Sequence, residues 1–245
     1  MALVYANTFS TSFAGVTGLQ SQGIITTGAA SPSGISDGIS IVNGVYRAKI
    51  TDADTQTASG IRSELVFADN ALGDNEFIDF ELLIKDAEWA ETGSTSDRMV
   101  VFQVHNEDSI TAAVNFLLWV EDRTLVAWYP SSEPPTEGST YIARSLAPFI
   151  FDTWHRITLR VRWVNASTGF LDLYLNQRPI FRVQSRGTAY NSDTPYPKLG
   201  LYASGSTGFG TRMAYYRNFA HYRGAAESFA TVMSTTPRPT AALLA

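Results

Sequence analysis

The sequence predicts an all-β protein, a sandwich or a barrel of antiparallel strands. Three observations carry that expectation. Apolar residues recur with period two along many short runs, which is the pattern of half-buried strands. No stretch of ten or more residues before residue 224 carries a helical stripe. Turn-forming residues punctuate the runs often enough to leave room for about a dozen strands in one chain, as in sandwiches and barrels.

The strands are read in order. Residues 41–50 and 61–67 come first. In Ile78-Asp79-Phe80-Glu81-Leu82-Leu83-Ile84, residues 78, 80, 82 and 84 form an apolar face. Further strands fit 99–105, 114–120 and 124–129. The run His155 to Trp163 points Ile157, Leu159, Val161 and Trp163 one way and four polar residues the other. Leu171, Leu173 and Leu175 alternate with Asp172, Tyr174 and Asn176. Turns at Asn165-Ala166-Ser167-Thr168-Gly169 and at Leu175-Asn176-Gln177-Arg178-Pro179 make 155–183 a meander of about three strands. Runs at 196–203 and 212–222 close the series. Polar stretches at 26–38, 86–98 and 130–140 read as surface loops. Residues 1–223 therefore form one β domain. Residues 224–245, rich in small side chains, form a C-terminal tail suited to docking on a partner or to folding back on the domain.

Composition narrows the function. The 245 residues contain no cysteine, which removes disulfide frameworks, thiolate metal sites and cysteine nucleophiles. Three histidines without metal-ligand spacing, and acidic pairs as short as Asp52-Ala53-Asp54, give no metal motif and no implied cofactor. Glu107-Asp108 sits at a strand end without a partner for a two-carboxylate hydrolase. A formal charge of −5 argues against broad nucleic-acid binding. No window approaches the ~20 apolar residues of a membrane span. Residues 1–8 lack a basic stretch followed by an apolar one, so no secretory signal is expected. Fifteen of the 18 cations are Arg, and the three lysines are Lys49, Lys85 and Lys198.

Strand alternation sorts the polar candidates by face. On 61–66, Arg62 and Glu64 oppose Ile61, Ser63 and Leu65. On 99–105, Gln103 and His105 oppose Val100, Phe102 and Val104. On 196–202, Tyr196, Lys198, Gly200 and Tyr202 oppose Leu199 and Leu201. Each has a structural alternative: Arg62 and Glu64 as a surface ion pair, His105 as a structural histidine, the tyrosines as ordinary strand residues. Arg160 and Arg162 are candidates for the floor of a polyanion groove, or are simply solvated. His155 reads as strand-start packing and His221 as a residue of the closing strand.

Taken in order, Arg62-Ser63-Glu64-Leu65, Gln103-Val104-His105 and Tyr196-Pro197-Lys198-Leu199-Gly200-Leu201-Tyr202 resemble the jelly-roll polysaccharide lyases, the alginate-lyase and heparin-lyase-like families. A weaker likeness runs from about residue 40 to residue 222 and includes Trp154-His155-Arg156. The resemblance implies a concanavalin-like β-jelly-roll sandwich of two antiparallel sheets, with an acidic polysaccharide as partner in the groove of one sheet. It also implies β-elimination: the C5 proton of a uronate leaves and the C4-linked oxygen is expelled. Within that scheme Arg62 and Gln103 neutralise the carboxylate. His105 is the base or a second neutralising group, and Tyr202 or Tyr196 is the acid, or in some linkages the base. Lys198 stands in phase with both tyrosines to supply a cation that favours a phenolate. Glu64 orients Arg62, while Tyr196, Glu64, Arg160 and Arg162 contact substrate. Two features depart from the family pattern. Val66 stands where a second Arg is usual, and Pro197 suits an edge or a strand start.

A second function class is a non-catalytic glycan-binding module. Without a secretory signal, a protein made in the cytoplasm meets an external polysaccharide only after lysis. A capsid-decorating or tail-associated bacteriophage virion protein meets that condition, with residues 224–245 docking on other virion subunits.

Overall fold

The computed structural model describes residues 2–7, 9, 16–21, 24–27, 37–56, 60–89, 98–106, 114–132, 135, 140–190, 194–204 and 208–224. The expected docking tail at 225–245, Glu107-Asp108 and much of the three polar loops lie outside those residues. Sixteen strands are present: β1 (Ala2–Asn7), β2 (Val16–Ser21), β3 (Ile24–Thr27), β4 (Ile39–Val42), β5 (Val45–Thr51), β6 (Gly60–Phe67), β7 (Asn75–Leu83) and β8 (Met99–Asn106). They continue as β9 (Val114–Glu121), β10 (Thr124–Pro130), β11 (Tyr141–Pro148), β12 (His155–Arg162), β13 (Gly169–Leu175), β14 (Arg178–Arg186), β15 (Pro195–Ser204) and β16 (Thr211–Arg223). One 3₁₀ turn, Asp86–Glu88, is the only helical element among the described residues.

All named pairings are antiparallel. The strands form two eight-stranded sheets. The first has the order β14-β13-β12-β7-β16-β5-β4, and β1 pairs with the far half of β16, beyond the end of β5. The second has the order β11-β10-β9-β8-β15-β6-β2-β3. The expected jelly-roll sandwich is what the chain forms.

One expectation about strands needs correction. Residues 41–50 are not one strand: Asn43 (φ 50°) and Gly44 (φ 76°) break them into a hairpin. A two-residue loop with both φ positive matches the twist of its strands, and Asn-Gly is its strongest signal. Asp122-Arg123 and Asn176-Gln177 make equivalent loops with positive φ. Of the two positions expected for Pro197, an edge or a strand start, it takes the second, near the start of a central strand. It faces Val104 of β8, while the β6 pairing begins one residue later at Lys198, so proline sits where β15 has a single paired neighbour.

The core fills the space between the sheets with the alternating residues the sequence indicates, among them Ile78, Phe80, Leu82, Leu159, Val161, Leu199 and Leu201. Aromatic rings bridge the layers: Phe67 stacks on Phe219 at 4.1 Å and Phe80 meets Phe102 at 5.2 Å. Two buried tyrosines of the first sheet reach across to backbone carbonyls of the second. Tyr46 Oη donates to the Ser63 carbonyl at 3.0 Å, with the Leu199 carbonyl 3.3 Å away. Tyr216 Oη donates to the Val101 carbonyl at 3.0 Å. Burial pushes both phenols well above the ordinary tyrosine value. They stay neutral donors, which is what a hydrogen bond to a buried carbonyl requires.

Candidate active site

The site is built on β8, β15 and β6, adjacent strands at the middle of the second sheet. Register decides which side chains share its outer face. Gln103 faces Lys198 and His105 faces Tyr196 across the β8–β15 ladder. Gly200 faces Glu64 and Tyr202 faces Arg62 across β15–β6. Residues opposite one another point to the same side, so the seven groove candidates on these three strands lie on one surface.

Contacts tie them together. Glu64, fully buried, lies 3.5 Å from Arg62 Nη1 and accepts a 2.5 Å hydrogen bond from the Gln103 amide. The Arg62 guanidinium is 4.4 Å from the Tyr202 ring centroid. Lys198 Nζ lies 5.3 Å from the Tyr196 ring, and that ring is 5.7 Å from the His105 imidazole. Arg62, Glu64, Gln103 and Lys198 are buried in the floor, while His105, Tyr196 and Tyr202 are half-buried above it. His105 Nδ1 is 2.8 Å from the Asn106 carbonyl. A carbonyl only accepts, so Nδ1 carries the proton; in the neutral ring the lone pair is then on Nε2, the form in which imidazole acts as a base.

Gln20 of β2 belongs to this network and was not foreseen. Its Oε1 accepts from Arg62 Nη1 at 2.9 Å and from Lys198 Nζ at 3.2 Å. The sequence signal was weak, because β2 is short and interrupted by Gly18, with a register shift between Val16 and Gly18. Gln20 faces Glu64 across β2–β6. The floor therefore holds two cations against one carboxylate, joined by two amides. That local excess of positive charge suits an anionic ligand although the chain as a whole carries −5.

One face assignment changes. Val100 was expected on the core side with Phe102 and Val104. The β8–β9 register shifts between Val100 and Phe102, and Val101 takes the core position instead. This bulge turns Val100 onto the groove face, where it packs with Leu117, Trp119 and Val126. An extra residue in one strand has this effect on everything preceding it.

A family profile for polysaccharide lyases matches residues 36–220, most of the described sandwich. The chain belongs to the polysaccharide lyase family. No curated protein matches it. Among solved structures, an endo-β-1,4-glucuronan lyase from the fungus Trichoderma reesei superposes with a TM-score of 0.65 at 15% identity, covering 92% of this chain and 96% of that one. An alginate lyase of polysaccharide lyase family 7 gives 0.68 at 14% identity, with 86% and 96% covered. The alginate lyase from Klebsiella pneumoniae gives 0.66 at 13%, with 89% and 98% covered. At these identities the likeness establishes the shared fold. None of these matches supports a virion role.

In this lyase-family chain, Arg160 and Arg162 do not join the other candidates. Both project from β12, on the outer face of the opposite sheet. Arg160 Nη1 pairs with Asp172 at 2.9 Å and packs over Phe170, and Arg162 Nε donates to the Gly73 carbonyl at 2.9 Å. Their assignment to the groove is therefore corrected: the two sheets point their outer faces in opposite directions. His155 and His221 are internal, as their strand positions suggested. His155 Nε2 donates to the Ile150 carbonyl and Nδ1 accepts from Asn176, while His221 meets the buried Glu76. Among the described residues no cluster of three or more His, Asp or Glu could hold a metal ion.

Proposed function

We propose that this protein cleaves a uronate-containing polysaccharide by β-elimination, with the substrate crossing the outer face of the second sheet. The observation that supports this is that Arg62, Gln103, His105 and Tyr202, from three strands, share one face, with Glu64 and Gln20 holding the floor side chains in place. A C5 proton next to a carboxylate is weakly acidic until that carboxylate is neutralised. Arg62 and the Gln103 amide provide charge and hydrogen bonds to the enolate-like state. His105 Nε2 takes the C5 proton, the C–H electrons form the C4=C5 double bond, and the C4–O4 bond breaks. The Tyr202 hydroxyl delivers a proton to the departing O4. Lys198 adds its charge to the floor, and Tyr196 lines the approach.

The reaction generates an unsaturated uronate, so ultraviolet absorbance rises when a cleavable polymer is added. Alginate, glucuronan and a heparin-like polymer form the test panel, with and without added calcium. His105→Ala and Tyr202→Phe are each expected to lower kcat by about 100-fold or more, the usual contribution of a positioned acid or base. Flat traces for the wild type across the panel would remove the catalytic reading. Full activity in either variant would reassign the proton-transfer roles.

A further inference from the structure

The groove face continues past the polar floor into a part of the molecule that the elimination chemistry does not use. Following the register from Gln103, the same face carries Leu117 of β9, Trp128 of β10 and Ala143 of β11. Tyr141, two residues before Ala143, lies on that face too. Its ring is stacked on Trp128, with centroids 3.7 Å apart and planes at 16°. Trp128 in turn meets Trp119 at 5.8 Å. This arm of the face is apolar and aromatic, whereas the arm on β15, β6 and β2 is cationic and amide-rich.

Tyr141 is fixed in an unusual way for a residue on an edge strand. One ring face rests on Trp128. Its hydroxyl accepts the Val114 N–H at 3.2 Å and lies 3.2 Å from the hydroxyl of the buried Tyr190. Both ends of the side chain are held, yet the ring is only half-buried. A flat ring held in advance suits a ligand that offers an apolar C–H face, and the ordering cost of binding is already met.

We infer that Tyr141, supported by Trp128, is the stacking platform of a distal sugar subsite on the same polysaccharide groove. This inference rests on the lyase reading for its substrate class, a uronate polymer. β11 lies three strand spacings from β8, roughly 14 Å, so only a chain several sugars long reaches both Tyr141 and the floor around Gln103. Stacking there raises affinity for long chains and leaves the chemical step untouched.

The test compares Tyr141→Ala, Tyr141→Leu and Tyr141→Phe on the polymer that the wild type cleaves and on its size-graded oligomers. Tyr141→Ala and Tyr141→Leu are expected to raise the polymer KM about tenfold with kcat unchanged. Tyr141→Phe, which keeps the ring, should stay close to wild type, and the shortest cleaved oligomer should be insensitive to all three. Equal losses on short and long substrates, or an unchanged polymer KM in Tyr141→Leu, would overturn the platform. Affinity electrophoresis through gels containing alginate or glucuronan separates this inference from the catalytic one. Retardation that weakens in Tyr141→Leu, without any unsaturated product, supports the platform while removing lyase activity. Retardation equal in wild type and variant removes the platform whatever the activity. A wild type neither retarded nor active removes both.

Discussion

Glu64 shows how a single buried charge organises the groove. A carboxylate removed from water is costly unless paired and hydrogen-bonded, and Glu64 is fully buried. Its two oxygens are divided between neighbours on two strands: one faces the Arg62 guanidinium and the other accepts from Gln103. The carboxylate therefore sets the separation of the two groups proposed to neutralise the substrate. Glu64→Ala leaves the Arg62 charge buried beside a hole, and removing one partner of a buried pair typically costs about 3–5 kcal/mol. Urea unfolding of this variant measures that cost directly. A loss below about 1 kcal/mol would mean that the neighbours left to Arg62, Gln20 and the Tyr202 ring among them, suffice to hold its charge. Gly200, opposite Glu64, is constrained for a different reason. Its φ is 147°, and a Cβ there would sit 2.0 Å from the Ser63 carbonyl and 2.8 Å from the Tyr46 hydroxyl. Any side chain at 200 would push β15 away from β6 and separate Lys198 and Tyr202 from Arg62.

At the scale of strands, the bulge in β8 is the element that shapes the groove. It exchanges Val100 for Val101 on the core side, and the displaced Val101 carbonyl accepts from Tyr216 on the other sheet. Tyr216→Phe removes that donor without changing ring packing. The expected cost is about 1–3 kcal/mol for the unsatisfied buried carbonyl, seen as a lower urea midpoint with an unchanged slope. Activity should fall alongside, because the bulge sets where Gln103 and His105 sit; stability reduced with turnover intact would show that the bulge holds without the tether. The bulge also marks the boundary of what the sequence discloses. Alternation placed Arg62, Glu64, Gln103, His105, Tyr196, Lys198 and Tyr202 on their true face, because a period-two pattern fixes sidedness wherever one face is buried. In Met99-Val100-Val101-Phe102 every residue is apolar, so alternation has no contrast and an inserted residue leaves no trace. The same limit hid β11, whose exposed edge position has little need of an apolar face, and Gln20, on a short strand broken by glycine. Arg160 and Arg162 were misplaced because alternation tells which side of a strand a residue occupies but not which sheet the strand joins.

On the whole molecule, the two outer faces divide the work. The face of the second sheet carries the candidate site and the aromatic arm. The face of the first sheet carries buried carboxylates beneath arginines: Asp79 under Arg156 and Thr158, and Asp172 under Arg160, Arg182 and Gln184. Between the faces, the core depends on neutral phenols that hydrogen-bond across the layers, and this has a consequence for pH. Burial raises Tyr46 and Tyr216 well above the ordinary value, and burial also raises Tyr190 and Tyr215, with Tyr141 and Glu88 adding to the effect. In the unfolded chain these groups ionise near pH 10. A folded-state value above the unfolded one gives stability that is complete below about pH 10 and is lost as the pH rises beyond it, because only the unfolded chain then releases its protons. Tyr46 and Tyr216 should each remove up to about 1.4 kcal/mol per pH unit in that window. Urea midpoints measured from pH 7 to 11.5 should be level to about pH 9.5 and then fall steeply. In Tyr216→Phe the midpoint is lower at neutral pH but its alkaline slope is shallower, since one titrating group is gone. If wild type and variant fall with the same slope, the cross-layer phenols are not what limits the fold in alkali, and the loss belongs to the more accessible tyrosines instead.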